Sequence, residues 1–330
     1  MSRLLLLLFL VCLLATPLWA TEVELRPLQV SNQAPLAMHA GLPTLDRARL
    51  LQENEYEVGL RWDLSSNYTL GNNVDEQLVF DGETSRVALR IECGLAAGWE
   101  AGLEIPVIAH RGGSLDGFID GWHDFFGLPD GGREQAASDQ LAYHYQRGSN
   151  VLLDVQNEQT GLGDVRLLLS RQLYQQTDAA LAVHASLEVP TGDDEKLLGS
   201  GSFDLALWLS GEQLWQPAGQ RFALHWGGGL LVADQGELLA EQRRPLAGTA
   251  TLGLAWSYWP ELVLQLQLDA HSSLFEGSNL RQVDEAAAQL AIGGALALGE
   301  RGRVELAVVE DIAVDTAPDV GFHLLLSQRF

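Results

Sequence analysis

The stretch Tyr56-Glu-Val-Gly-Leu-Arg-Trp-Asp-Leu64 sets the period of the chain. Tyr56, Val58, Leu60, Trp62 and Leu64 fall on one face, and Glu57, Arg61 and Asp63 on the other. Successive side chains of a strand point to opposite sides, so a period of two with one apolar and one charged face predicts a β-strand, not a helix. The pattern returns as Val87, Leu89 and Ile91 between Arg86, Arg90 and Glu92, and as Leu262, Leu264, Leu266 and Leu268 between Gln265, Gln267 and Asp269. Carried along the chain, it predicts strands at 54–66, 83–94, 98–109, 162–174, 178–190, 202–215, 220–233, 247–259, 261–272, 285–298, 302–313 and 319–330.

The connections between these strands alternate in length. Short ones centre on Ala96, Gln176, Gly219, Pro260 and Arg301, and longer ones separate them. Short turns at one end and long loops at the other are the habit of transmembrane barrels, with the short turns on the periplasmic side. Hydrocarbon offers no hydrogen bonds, so a sheet that crosses it must close on itself and leave no edge. Tyr56, Trp99, Trp215, Phe222, Tyr258, Trp259 and Phe330 fall near the short-turn ends, where amphipathic rings favour the lipid–water boundary. The expected fold is therefore all-β: a transmembrane antiparallel β-barrel of about 12 strands, with a short helix in one long outer loop at 110–161.

The chain starts with Met-Ser-Arg-Leu-Leu-Leu-Leu-Leu-Phe-Leu-Val-Cys-Leu-Leu-Ala-Thr-Pro-Leu-Trp-Ala20. A basic start, an apolar run from Leu4 to Leu14 and a small residue at Ala20 predict a signal peptide over 1–20, cut after about Ala20. Residues 21–53 are expected as a periplasmic N-terminal arm, and 54–330 as the barrel in the outer membrane of a Gram-negative cell. The last strand, ending on Phe330 with Phe322, Leu324 and Leu326 on the same face, has the form that the barrel-assembly machinery reads.

Composition excludes several classes. The 330 residues are 47% hydrophobic and 19% charged, with 44 acids against 20 bases and a formal charge of −24. A nucleic-acid partner is not expected, because phosphate binding needs a basic face. Two cysteines, Cys12 and Cys93, with no zinc-ligand spacing, give no disulfide framework and no metal site. No cofactor and no catalytic residue is assigned.

Three stretches carry a resemblance. They are Ser31-Asn-Gln-Ala-Pro-Leu36, the run from Gly117 to Arg133 (GFIDGWHDFFGLPDGGR), and Gly161-Leu-Gly-Asp164 followed by Val189-Pro-Thr-Gly192. Together they resemble an uncharacterised proteobacterial outer-membrane β-barrel family (domain of unknown function 3187). The resemblance implies an outer-membrane barrel over nearly the whole exported chain and supplies no activity.

Two groups of residues are candidates for function. In loop 110–161, Leu115, Phe118, Ile119, Trp122, Phe125 and Phe126 recur at helical spacing and are expected to cap the barrel or fold inward as a gate or plug. Asp116, Asp120 and Asp124 share another face of the same segment; carboxylates at helical spacing read as a solvated face. By strand parity, Arg61, Arg86, Arg90, Glu100, Glu104, Arg166, Glu188 and Asp204 point into the lumen, either as a structural ladder or as a charged constriction on a solute path. Cys93 and Arg171 fall on the lipid side, Arg171 near a periplasmic end where its long side chain can reach the headgroups. His184 and Ser186 share a face but stand too far apart for a direct hydrogen bond, and there is no GxSxG.

The function expected from the sequence is a pore or transporter for a small solute, partly gated by loop 110–161. The alternatives are a structural envelope barrel with a filled lumen and, third, a lipid-modifying outer-membrane enzyme. Expected partners are outer-membrane lipids and lipopolysaccharide, the barrel-assembly machinery through Phe330, and a solute that the sequence does not identify.

Overall fold

Alternating apolar and polar residues can only pair into a wall whose two faces meet different surroundings, and the computed structural model is such a wall, describing residues 22–113, 140–313 and 316–330. The strands are β1 (Tyr56–Asn72), β2 (Glu76–Leu95), β3 (Trp99–Arg111), β4 (Ala142–Arg147), β5 (Asn150–Val155), β6 (Gln159–Leu162), β7 (Val165–Gln175) and β8 (Ala179–Val189), followed by β9 (Asp204–Trp215), β10 (Arg221–Ala233), β11 (Leu246–Trp259), β12 (Leu262–His271), β13 (Ala287–Leu298), β14 (Gly302–Ala313) and β15 (Val320–Arg329). Every pairing is antiparallel. The barrel closes where β15 meets β1, in register from Glu57 opposite Arg329 to Ser66 opposite Val320. The Phe330 N–H donates to Tyr56 O, and the Tyr56 N–H to Phe330 O.

The wall has twelve strands. β6 and β7 are two halves of one strand, both paired with β3 and interrupted at Gly163-Asp164. β4 and β5 form a hairpin outside the ring, attached to the outer half of β2 from Asp81 opposite Ala142 to Glu76 opposite Arg147. The expected strand positions hold, with two differences at β1 and β2. These strands run well beyond 66 and 83, so their outer connection is only residues 73–75. The outward face of β2 is polar at Gln77 and Asp81 and turns apolar at Val87, Leu89 and Ile91. The extension therefore stands above the hydrocarbon, where the β4–β5 hairpin needs an edge to pair with.

The outward face carries exposed Leu, Val and Ile along each strand, as lipid contact requires. At the short-turn end, Trp215, Phe222 and Trp256 stack in series, with ring centroids 5.6 and 6.1 Å apart. Arg171 places its guanidinium 5.2 Å from the Trp99 ring, so a lipid-side charge is held at the membrane boundary by a cation–π contact. An apolar concavity on the lipid face near Gly294, between Leu264, Ile292 and Leu306, is surface for acyl chains and not a solute path.

One expectation is overturned. Residues 22–53 do not extend into the periplasm; they run inside the barrel. An ascending limb, 22–33, rises from the short-turn end, where the Val23 N–H donates to Pro260 O, to the outer half, where Asn32 donates to Thr316 O. A 3-10 turn at Ala37–His39 reverses it. A returning limb, 41–53, descends past Glu188 and Glu100 to β1. The reason is steric and electrostatic. Twelve strands enclose more space than inward side chains of ordinary size fill. Many inward residues of β10, β11, β13 and β14 are small, notably Ala223, Ala255, Ala291, Ala295 and Ala307, between longer polar ones such as Gln267 and Arg303. Gly227 on β10 is bare for the same reason: a Cβ there would lie 2.3 Å from Leu45 of the returning limb.

Candidate functional site

The lumen is the site. Its two limbs meet opposite walls by different chemistry. The returning limb faces β1–β9 and binds through its own side chains. Arg47 lies 3.0 Å from both Glu92 and Glu100 and 3.1 Å from Glu57. Arg49 pairs with Glu212, and Asp46 with Arg90 at 2.8 Å. The Leu51 N–H donates to Glu100, and Leu50 N–H to Gln172. The ascending limb faces β10–β15 and is held by its backbone and by two ion pairs, Arg26 with Glu57 at 2.6 Å and Glu24 with Arg329 at 3.0 Å. Gln267 donates to Leu28 O and accepts from the Leu28 N–H, both at 3.0 Å. Gln265 donates to Arg26 O, Arg303 to Glu24 O, and the Gln29 N–H donates to Glu305.

The eight lumen charges expected from parity are all buried inside the barrel. The structure brings them into ion pairs. Arg61 and Arg86 converge on Glu104 at 3.1 and 2.7 Å, and Arg166 meets Glu188 at 2.6 Å. Arg90 bridges Asp46 and Glu92, Glu100 takes Arg47 from the arm, and Asp204 takes Arg243 from the loop after β10. A further inward pair, Asp63 and Glu305, holds His323 between them at 2.6 and 3.3 Å. Buried charges persist only when paired, and each residue here has an oppositely charged partner, although single atoms such as Arg86 Nη1 and Asp63 Oδ2 have no hydrogen bond. The spaces left beside the upper part of the ascending limb are small, about 30 Å³ near Asn32 and His271 and about 10 Å³ near Gln289 and His323, whereas a polar cavity of about 220 Å³ opens at its short-turn end beside Glu24, Arg26 and Arg329. Each of the two small spaces is room for about one water.

Above this layer the outer mouth is closed by an apolar core. Leu36 and Ala37 of the arm pack with Phe80, Tyr143, Tyr145, Leu197, Leu239 and Phe275. Two buried carboxylates fasten the loops around it. Asp164 accepts from the N–H groups of Thr191, Gly192 and Ser200, which explains the Gly-Asp and Thr-Gly pieces as a structural latch. Glu76 accepts from Tyr145, Ser278, Asn73 and the Asn279 N–H. Burial pushes the Glu76 carboxyl up, and these hydrogen bonds outweigh it and hold the pKa at about 2.

Leu115, Phe118, Ile119, Trp122, Phe125 and Phe126, with their expected helix, lie outside the described residues. So do Asp116, Asp120, Asp124 and the expected signal peptide. His184 and Ser186 share a face in the structure as well, but His184 has another partner. His184 pairs across the strand with Ser170 at 2.8 Å, not with Ser186, and its ring stacks on Trp208 at 5.2 Å, buried in the lumen away from lipid. His110 bonds Thr84 and Leu197 O, His144 bonds Asp154, and His271 bonds Asn32 and Ser272 O.

The arm's contacts were not read from the sequence. Two signals for them exist. Residues 22–53 are too apolar for a solvated linker, with Val23, Leu25, Leu28 and Val30 at near-regular spacing. The inward parity of β1–β9 also carries carboxylates, such as Glu100 and Glu212, with no arginine of the wall paired to them.

A closed antiparallel wall of twelve strands, apolar outside, belted with aromatics and charged within, defines an outer-membrane β-barrel. The chain belongs to the family described as protein of unknown function (DUF3187), whose profile matches residues 3–330. No curated protein matches it. Its fold is similar to that of the COG4313 outer membrane channel from Pseudomonas putida F1, at a TM-score of 0.55 and 12% identity over 86% of this chain and 98% of that chain. It also aligns with the KdgM porin (TM-score 0.41, 8% identity, 83% and 99% covered) and the CymD monoaromatic hydrocarbon channel (0.36, 11%, 96% and 98%).

Proposed function

We propose that the protein is an outer-membrane channel for a small solute, closed from within by its N-terminal arm and from without by its outer loops. The observation that carries this reading is the ascending limb. It takes no part in the wall, it occupies the lumen, and its near end lies at the short-turn mouth, where removal of residues 1–20 would leave it free. A segment so placed can leave without breaking a strand pairing. Loop 110–161 shares the outer closure: its β4–β5 hairpin supplies Tyr143 and Tyr145 to the apolar core, and its segment 115–126 is proposed to complete the gate. The similarity of fold to the COG4313 outer membrane channel supports a pore over an enzyme. Lipopolysaccharide contact by the outer loops, recognition of the Phe330 strand by the barrel-assembly machinery and removal of residues 1–20 on export belong to the same proposal.

The complete pairing of the eight lumen charges favours a second reading, a structural barrel with a permanently filled lumen. Conductance in planar bilayers separates the two. The full chain carrying Leu28→Asp and Val30→Asp puts two charges against the alanine wall and expels the ascending limb. Discrete current steps in this variant, with few or none in the wild type, are the expected result. A folded, heat-modifiable variant that stays silent would leave the structural reading in place.

A further inference from the structure

The ascending limb sits in its wall as a peptide ligand sits in a receptor. The wall addresses its backbone. Gln267 meets both polar groups of Leu28, Gln265 and Arg303 reach Arg26 O and Glu24 O, and Glu305 takes the Gln29 N–H. A carboxamide that donates to a carbonyl and accepts from the N–H of the same residue reproduces the two-point pairing of a neighbouring strand. Every peptide presents those groups, so this mode reads an extended chain and tolerates many sequences. Between the polar contacts, the wall offers shallow apolar seats. Val23 and Leu25 pack on Ala223, Ala255, Val263 and Ala295. Leu28 and Val30 pack on Ala291, Ala307 and Val309. The returning limb is held in the opposite way, by Asp46, Arg47 and Arg49, which is sequence-specific anchoring. Both limbs also use the other mode, the ascending one through Arg26 to Glu57 and Glu24 to Arg329, the returning one through the N–H groups of Leu50 and Leu51. The stretch Leu28–Val30, however, is met by the wall through its backbone and its apolar side chains alone, apart from Gln29 to Asp46 of the arm itself.

We propose that the inner wall of β10–β15 is a binding groove for extended peptides with apolar side chains at intervals, that residues 23–30 are its resident occupant, and that such peptides are the solutes of the channel. The proposal rests on the channel reading and names the substrate class of that same lumen. A sugar or a small ion would have no use for alanine seats placed between main-chain donors and acceptors. With residues 1–20 removed, the limb would end freely at the mouth, and exchange between the resident segment and an incoming peptide would break no strand pairing.

The test uses the full chain in three forms. In planar bilayers, the Leu28→Asp, Val30→Asp variant receives a synthetic peptide with the natural sequence of residues 22–33 from the periplasmic side. Interruptions of current whose frequency rises with peptide concentration are expected, while a maltooligosaccharide of similar mass produces none. Adding Gln267→Leu to the same chain should shorten the interruptions by about thirtyfold, the loss expected for two net hydrogen bonds at roughly 1 kcal/mol each. A peptide N-methylated at the Leu28 position should fail in the same way, and one with its apolar residues permuted among themselves should still bind. Steps that proceed uninterrupted at millimolar peptide would overturn the groove and leave the channel reading standing. Silence from a folded barrel would remove the channel reading, and dye-labelled peptide bound to that barrel would then still report on the groove. Should the double variant not fold, wild-type chain labelled at Gln29→Cys with an environment-sensitive fluorophore decides: added peptide must displace the limb and shift the emission, and no shift up to millimolar peptide sinks the proposal.

Discussion

Gln267 on β12 and Leu28 in the arm form a reciprocal pair, the carboxamide donating to the carbonyl and accepting from the N–H at 3.0 Å each. Both groups are fully enclosed. Replacing Gln267 by Leu keeps the volume and leaves two backbone groups of Leu28 without partners, at a cost of about 1–3 kcal/mol each. The barrel wall loses only the Gln267 contact with Asp269 and no strand pairing. Amide exchange at Leu28 should therefore accelerate by at least tenfold while exchange along β12 stays the same. Equal acceleration at both places would mean that the limb and the wall open together.

Arg47 is the anchor of the returning limb, with three carboxylates around one guanidinium. Arg47→Ala leaves Glu57, Glu92 and Glu100 crowded in a low-dielectric space, and breaking a buried pair in this way costs about 3–5 kcal/mol. Urea unfolding followed by heat-modifiable mobility should show that loss. Arg47→Met combined with Glu100→Gln removes charge from both sides and should recover most of it. A single variant as stable as the wild type would show that water reaches and screens this end of the lumen.

The seats under the ascending limb are small because the limb must pass. Ala291, which packs on Leu28 and Val30, is fully buried. Ala291→Leu overfills this layer, and overpacking of this kind costs about 1–3 kcal/mol. The expense falls on the limb, which can move, not on a strand paired on both sides. The variant should open channels more often in planar bilayers than the wild type. A closed variant of lowered stability would place the limb as a fixed part of the core.

Glu76 gives the outer lid a pH dependence of definite sign. Its pKa in the folded chain, about 2, lies below the usual 4.5. A carboxyl lowered by folding contributes its stability fully above its free value and loses it as pH falls towards the folded value. The latch should therefore hold from neutral pH down to about 4.5 and weaken progressively between 4.5 and 2. Pepsin reads this directly, because Leu274 and Phe275 are buried beside the loop that Glu76 fastens through Ser278 and Asn279. Nicking after Leu274 should rise steeply below pH 4. In Glu76→Gln it should already be high at pH 4 and change little below that.

The sequence carried the wall almost completely, because the wall obeys a local rule. The side of the sheet on which Val58, Arg61 or Leu264 stands follows from counting residues by twos, and the strand ends follow from where the count breaks. The inward parity of Arg61, Arg86, Glu104 and Arg166 came from the same count. Their partners did not, since Arg86 meets Glu104 across 18 residues and Arg61 across 43. The extension of β1 and β2 was missed because its outward face mixes Leu70 and Val79 with Asn72, Gln77 and Asp81, so the regular apolar alternation stops while the strand does not.

What only the tertiary structure decided is the content of the lumen. Nothing within a few residues of Arg47 or Leu28 shows that Glu100 or Gln267 lies opposite, because those contacts span 53 and 239 residues. They exist because a closed ring of twelve strands with alanines on one inner side encloses a space that must be filled by solvent or by chain. The apolar arm, next to the barrel in sequence and rich in Leu and Val, fills it at the gain of burying that surface.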